Sequence, residues 1–130
     1  MRLLLDTHIL LWALSEPQRL GRRGRELIDD ADTYVSAASI WEISIKVALG
    51  KLNAAPAKVS AALAPAGFKS LPVTVEHAAA VVQLEKMHRD PFDRMLVTQA
   101  RSEGMKLLTN DEALTLYGED VLVLAALAKR

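Results

Sequence analysis

The sequence predicts an α/β layer fold built on a mainly parallel sheet. Short apolar runs of strand length, "RLLLD", "TYVSAAS" and "MKLLTND", alternate with longer stretches whose apolar residues recur at helical spacing. Acidic or small polar residues close those runs, and parallel sheets bind ligands beyond the carboxyl ends of their strands. No internal repeat, low-complexity tract or linker interrupts the 130 residues, so residues 1–130 read as one domain.

In chain order, "RLLLD" is a buried strand and "THILLWALSEP" a helix that stops near Pro17. "GRRGRELIDDA", with Leu27 and Ile28 among charges, reads as a solvent-facing helix. "TYVSAAS" is a second strand, after which Ser36 or Ser39 caps the helix "ASIWEISIKVALGKL" and Gly50 ends it. "AKVSAALAPAG" follows Pro56 as a helix, and Pro72 in "FKSLPV" marks a sheet edge. Thr74 is placed to cap "VEHAAAVVQLEKM". A further helix starts at Pro91 and runs to Gly104. "MKLLTND" is a strand, and "VLVLAAL" is a last strand or a strand-to-helix junction.

Composition narrows the functional classes. Sixteen Lys and Arg balance sixteen Asp and Glu, which lacks the basic field of a non-specific nucleic-acid binder. The dense basic run "RLGRRGREL" holds Arg19, Arg22, Arg23 and Arg25; it is either a solvated helix face or a contact for RNA or a protein partner. The absence of cysteine rules out a disulfide framework and a thiolate metal site, and fits a reducing cytoplasm. The apolar start "MRLLLDTHILLWAL" is broken by Asp6 and His8 and is too short for a membrane span.

Four acids stand out. Asp6 closes the first strand and Asp111 follows "KLLT", so both belong at the carboxyl edge of the sheet; each also suits a turn or cap. Glu42 has two placements. It can pair with Lys46 one turn on at a wet helix face, worth only ~0.3–0.5 kcal/mol. It can also be buried, since Trp41, Ile43, Ile45 and Val47 surround it, and it then needs a cation or hydrogen bonds. In "HRDPFDRMLVTQA", Asp90 precedes a proline suited to the first helical position and reads as the N-cap. Asp93 tops the stripe Leu96, Val97 and Ala100 and points inward, whereas Phe92, Met95, Gln99 and Glu103 form a wetter face. His88, Arg89 and Arg94 acquire no role. Oxygen-only donors suit Mg²⁺ or Mn²⁺ rather than zinc. Crowded carboxylates of this kind commonly hold one or two such ions.

These segments resemble the PIN-domain family, in particular the VapC-type toxins of toxin–antitoxin pairs. "LLLDTHILLWAL", "VSAASIWEISIKVALGKL", "HRDPFDRMLVTQA" and "LLTNDEAL" follow the family's order and spacing over essentially the whole chain. The resemblance implies a three-layer α/β/α domain whose acidic pocket hydrolyses RNA with a water activated by Mg²⁺ or Mn²⁺, leaving a 5′-phosphate and a 3′-hydroxyl. It implies that Asp6, Glu42 and Asp93 are the core acids and Asp111 the more variable fourth. Asp6 and Asp93 would be direct ligands, Glu42 would complete the metal shell or orient water, and Asp111 would support a second ion or act through water. Thr7 and Thr109 fall where the family places hydroxyls beside the acids, with Asn110 adjoining; His8 reads as a helix-start or packing residue. The implied partners are RNA, a VapB-like antitoxin and a second copy of the chain.

Rival families fit less well. A haloacid-dehalogenase-like phosphatase needs a second aspartate where His8 stands. A phospho-acceptor domain needs an acceptor aspartate on a middle strand that has no counterpart here. A PIN fold that only binds RNA would not require all four acids.

Overall fold

The computed structural model describes residues 1–85 and 90–128. His88 and Arg89, left without roles by the sequence, lie outside the described residues. Strands β1 (Arg2–Leu5), β2 (Asp32–Ser36), β3 (Lys69–Leu71), β4 (Lys106–Thr109) and β5 (Val121–Val123) form one sheet in the order β3-β2-β1-β4-β5, every pair parallel. Helices α1 (Thr7–Ser15), α2 (Gly21–Asp30), α3 (Ala37–Ala48), α4 (Pro56–Ala62), α5 (Val75–Ala80), α6 (Pro91–Glu103) and α7 (Leu124–Ala128) cover it.

Alternation within the strands builds three layers. Leu3, Leu5 and Leu108 face one side, packing with Ile9, Leu10, Ile28 and Ile43 of α1, α2 and α3. Leu4 and Leu107 face the other, against Leu96, Val97 and Ala100 of α6. Both sheet faces are covered, which is why β1 is a continuous apolar run instead of an alternating one.

The topology positions the site. From the central β1 the chain steps outward to β2 and β3, then returns to pair β4 on the other side of β1. Strand order therefore reverses between β1 and β4, and such a reversal opens a crevice at the strands' carboxyl ends. Asp6 sits there, its backbone N–H donating to the Leu108 carbonyl at 2.9 Å.

Most of the expected punctuation is present. Ser36, not Ser39, caps α3 by accepting from Ala38 N. Thr74 caps α5, Pro72 follows the edge strand β3, and "VLVLAAL" changes from strand to helix at Leu124. Gly104 ends α6 in the left-handed conformation, φ 66°, that favours glycine.

Four elements differ from expectation. The helix after Pro56 ends at Ala62, because Pro65 disfavours helical geometry at Ala64. The long helix from Val75 ends at Ala80 and tightens into a 3₁₀ turn, Val81–Gln83, where two adjacent β-branched valines weaken the α form. Arg94 stabilises that turn by donating to the carbonyls of Val81, Leu84 and Glu85, so it acquires a structural role. A 3₁₀ helix over Glu112–Tyr117, not expected, follows Asp111. Finally, the Gln99 face of α6 is not wet. Gln99 is fully buried, donating to the Pro72 carbonyl at 3.2 Å, while His77 Nε2 lies 2.8 Å from Glu103. Helix α5 covers this face, a tertiary contact that periodicity within α6 does not contain.

The basic run is a surface. Arg22 pairs with Glu26 at 3.5 Å, and Arg19 with Glu16 at 3.3 Å while stacking over Trp12; all four charged groups of these pairs are exposed. Beneath them α2 does bury Gly24 and Ile28. A Cβ at Gly24 would come within 2.7 Å of Leu124 Cδ1, so glycine lets α7 approach α2 closely.

Candidate metal centre

Asp6 is a buried acid at the crevice, 6% exposed. As N-cap of α1 its Oδ1 accepts from Thr7 N at 2.7 Å, and its Oδ2 accepts from the Thr109 hydroxyl at 2.5 Å. The cap role and an inward-facing role thus coexist, because each carboxylate oxygen has a second lone pair. Burial pushes the Asp6 carboxyl above its usual range; the Glu42 charge adds to this, while the Thr109 and Thr7 hydrogen bonds and His8 oppose it. A carboxylate withdrawn from water in this way is stabilised by a nearby cation.

Glu42 combines both placements left open by its sequence. It is 4% exposed, yet its Oε2 lies 2.6 Å from Lys46 Nζ at i,i+4. Its Oε1 accepts from the Thr7 hydroxyl at 2.7 Å, and that hydroxyl lies 3.0 Å from Ser39 Oγ. Thr7 therefore ties the start of α1 to the inner face of α3, one residue after Asp6.

Helix α6 delivers the third acid. Asp90 accepts from Phe92 N at 2.8 Å and Asp93 N at 3.3 Å, which confirms it as the N-cap. Phe92 packs edge-on against Trp41 with ring centroids 5.3 Å apart, clamping the first turn of α6 to α3. Asp93, half-buried on this turn, is near enough for its charge to act on the Lys46 ammonium. The hydrogen bond to Glu42 is the main cause holding the Lys46 pKa above its usual value; the charges of Glu42, Asp90 and Asp93 add to it, and burial opposes it.

Asp111 follows β4. It caps the following 3₁₀ helix, accepting from Ala113 N at 3.0 Å, and its own N–H donates to Thr109 Oγ1 at 3.1 Å. Thr109 is thus the link between Asp111 and Asp6. Asn110 is exposed.

Hydrogen bonds join Asp6, Thr109 and Asp111 in one group and Thr7, Glu42 and Lys46 in another, and the Glu42 charge acts on Asp6 between the two. Among the described residues, no three acidic or histidine side chains are gathered into a ready cation cage. Two residues escaped prediction as members of the site. Ser39 lies three positions before Glu42 on the same helical face, and Lys46 four positions after it; that spacing was their only sequence signal. The donor chemistry nonetheless suits a hard divalent ion: carboxylates and hydroxyls converge without competing soft ligands, around a buried carboxylate destabilised in its charged form.

The fold and site together define a class: a three-layer α/β domain with an acidic, oxygen-only site at the switch point of a parallel sheet. Comparison with known proteins agrees. The PIN-domain family model matches residues 3–119. The ribonuclease VapC22 of Mycobacterium tuberculosis is 31% identical over 114 residues, covering 85% of this chain and 88% of its own. Among solved structures, VapBC2 from Rickettsia felis bound to a promoter DNA fragment superposes with a TM-score of 0.67 at 14% identity, over 95% of this chain and 97% of that one. DNA-bound VapBC from Salmonella typhimurium gives 0.68 at 16% identity, over 95% and 98%. The chain belongs to the PIN-domain family.

Proposed function

We propose that this chain is a metal-dependent endoribonuclease, the toxin of a VapBC-type toxin–antitoxin pair acting in the cytoplasm. The observation that carries this reading is the buried Asp6 at the β1/β4 switch point, tied through Thr7 to a second buried acid, Glu42. The relative named as a ribonuclease and the neighbours solved as toxin–antitoxin complexes support it. No helix among the described residues is long and apolar enough to cross a membrane.

In this reading Asp6 and Asp93 would hold Mg²⁺ or Mn²⁺, one or two ions, and Glu42 would complete the shell or orient water. Asp111 would support a second ion or act through water. When bound, the ion supplies positive charge against the phosphate and makes water a stronger nucleophile near neutral pH. Thr109 and Thr7 hold the Asp6 and Glu42 carboxylates in place, so little reorganisation is needed as RNA binds. In-line attack leaves a 5′-phosphate and a 3′-hydroxyl. Purified protein is expected to cleave single-stranded RNA with Mg²⁺ or Mn²⁺ and to stop when EDTA is added, resuming on re-addition of metal. Cleavage that continues in EDTA would overturn the metal requirement.

The reading also includes protein partners: a VapB-like antitoxin and a second copy of the chain. A groove of about 720 Å³ lies between α3, α5 and α6, lined by Ala38, Trp41, Val81, Phe92 and Met95 among others. Trp41 is 63% exposed despite its size, an apolar surface of the kind that marks an interaction site. We assign this face to self-association. Trp41→Glu is expected to shift the sedimentation of the chain toward monomer without changing its circular dichroism; an unchanged mass would move the dimer face elsewhere.

A further inference from the structure

Lys46 is the feature of the site that the proposed chemistry does not use. Its ammonium makes a 2.6 Å contact with Glu42 Oε2, and the charges of Asp90 and Asp93 at the start of α6 also act on it. An ordinary surface ion pair leaves both groups wet and contributes little. Here the partners are unequal, since the Glu42 side chain is 6% exposed and that of Lys46 is 37% exposed. The ammonium is thus partly in solvent while the carboxylate it contacts is buried. The Thr7 hydroxyl holds the opposite oxygen of Glu42, so the carboxylate stays fixed when the ammonium leaves. The lysine stem is long enough to swing outward while its carbons remain against the helix.

We propose that Lys46 is a phosphate-positioning residue. Its ammonium neutralises Glu42 until a divalent ion takes over that carboxylate, and it then moves to a non-bridging oxygen of the RNA phosphodiester. This rests on the assignment of Glu42 and Asp93 to the metal site. Two consequences follow from charge. Without RNA, Lys46 competes with the divalent ion for Glu42, because two cations at one carboxylate repel. With RNA present, the phosphate gives Lys46 a new anionic partner and the competition is relieved. Metal loading and RNA binding therefore assist each other, and by linkage the assistance is equal in both directions.

The test compares wild type, Lys46→Met, Lys46→Arg and Asp93→Asn. Met keeps most of the stem's volume without the charge, and Arg keeps the charge. Mn²⁺ alone is titrated by calorimetry, and RNA cleavage is then measured as separate kcat and KM values over a range of salt. Lys46→Met is expected to bind Mn²⁺ about tenfold more tightly than wild type. Its KM for RNA is expected to rise about tenfold, with a salt dependence shallower by about 0.7 in log–log slope, as for one lost phosphate contact on a single strand. Lys46→Arg is expected to restore both values toward wild type. Unchanged or weaker Mn²⁺ binding by Lys46→Met, or an unchanged KM, overturns the proposal. Asp93→Asn separates the two levels: if it binds Mn²⁺ and cleaves RNA like wild type, the metal-site assignment itself fails.

Discussion

Asp93→Asn is expected to lower RNA cleavage by roughly 10³-fold or more, while Asp90→Asn, three residues away, stays within about threefold of wild type. The two acids share one helical turn, and the proposed function gives them different duties. Asp90 accepts two backbone N–H groups at the start of α6, and asparagine makes the same cap almost as well. Asp93 lies on the turn that the Trp41–Phe92 contact holds against α3, its charge acting on Lys46, and in the proposed metal site a neutral amide would not replace a carboxylate's charge toward a divalent ion. Cleavage assays with matched circular dichroism spectra decide the matter. Wild-type rates for Asp93→Asn would remove it from the reaction, and a folded but inactive Asp90→Asn would reverse the two assignments.

Asp6→Asn is expected to abolish cleavage and, in EDTA near neutral pH, to raise the unfolding temperature by a few degrees. Burial makes the folded chain hold the Asp6 proton more tightly than the unfolded chain does. Between the ordinary value of 3.8 and the raised folded value, the folded state binds more protons, so stability falls as pH rises through that window. Above the window Asp6 is charged in both states and its full destabilising effect remains. Asparagine removes that effect and keeps the cap to Thr7 N. The advantage of Asp6→Asn should shrink as pH falls toward the ordinary aspartate value. Saturating Mn²⁺ should also reduce it, because an ion that binds only the folded wild type stabilises that state. Thermal unfolding of both proteins, with EDTA and with Mn²⁺, tests this; a variant no more stable than wild type in EDTA would show that burial of Asp6 carries no such cost. The result would place stability and function in opposition at one side chain.

Individual residues show how far the sequence reaches. Asp90 was legible because a proline at the first helical position leaves the preceding residue as the cap. The β1 and β4 strands were legible because a strand buried on both faces is apolar throughout. Glu42 was legible only as a choice between burial and pairing with Lys46, and the structure realises both. The burial of Gln99 was hidden, since helix α5, more than ten residues upstream, supplies the cover. The 3₁₀ helix after Asp111 was hidden because its short turns carry little periodic signal.

The sequence by itself determined the strands, most helix starts and which acids end near the sheet's carboxyl edge, because strand burial, capping and local spacing are short-range properties. It also determined the family, through motifs spread along the chain. Only the tertiary structure decided how the acids are grouped. The reversal of strand order between β1 and β4 joins Asp6 to Thr109, and packing of α3 on α6 brings the Asp93 charge to act on Lys46. Those contacts join residues remote in sequence through side-chain packing and charge, and no local pattern specifies them.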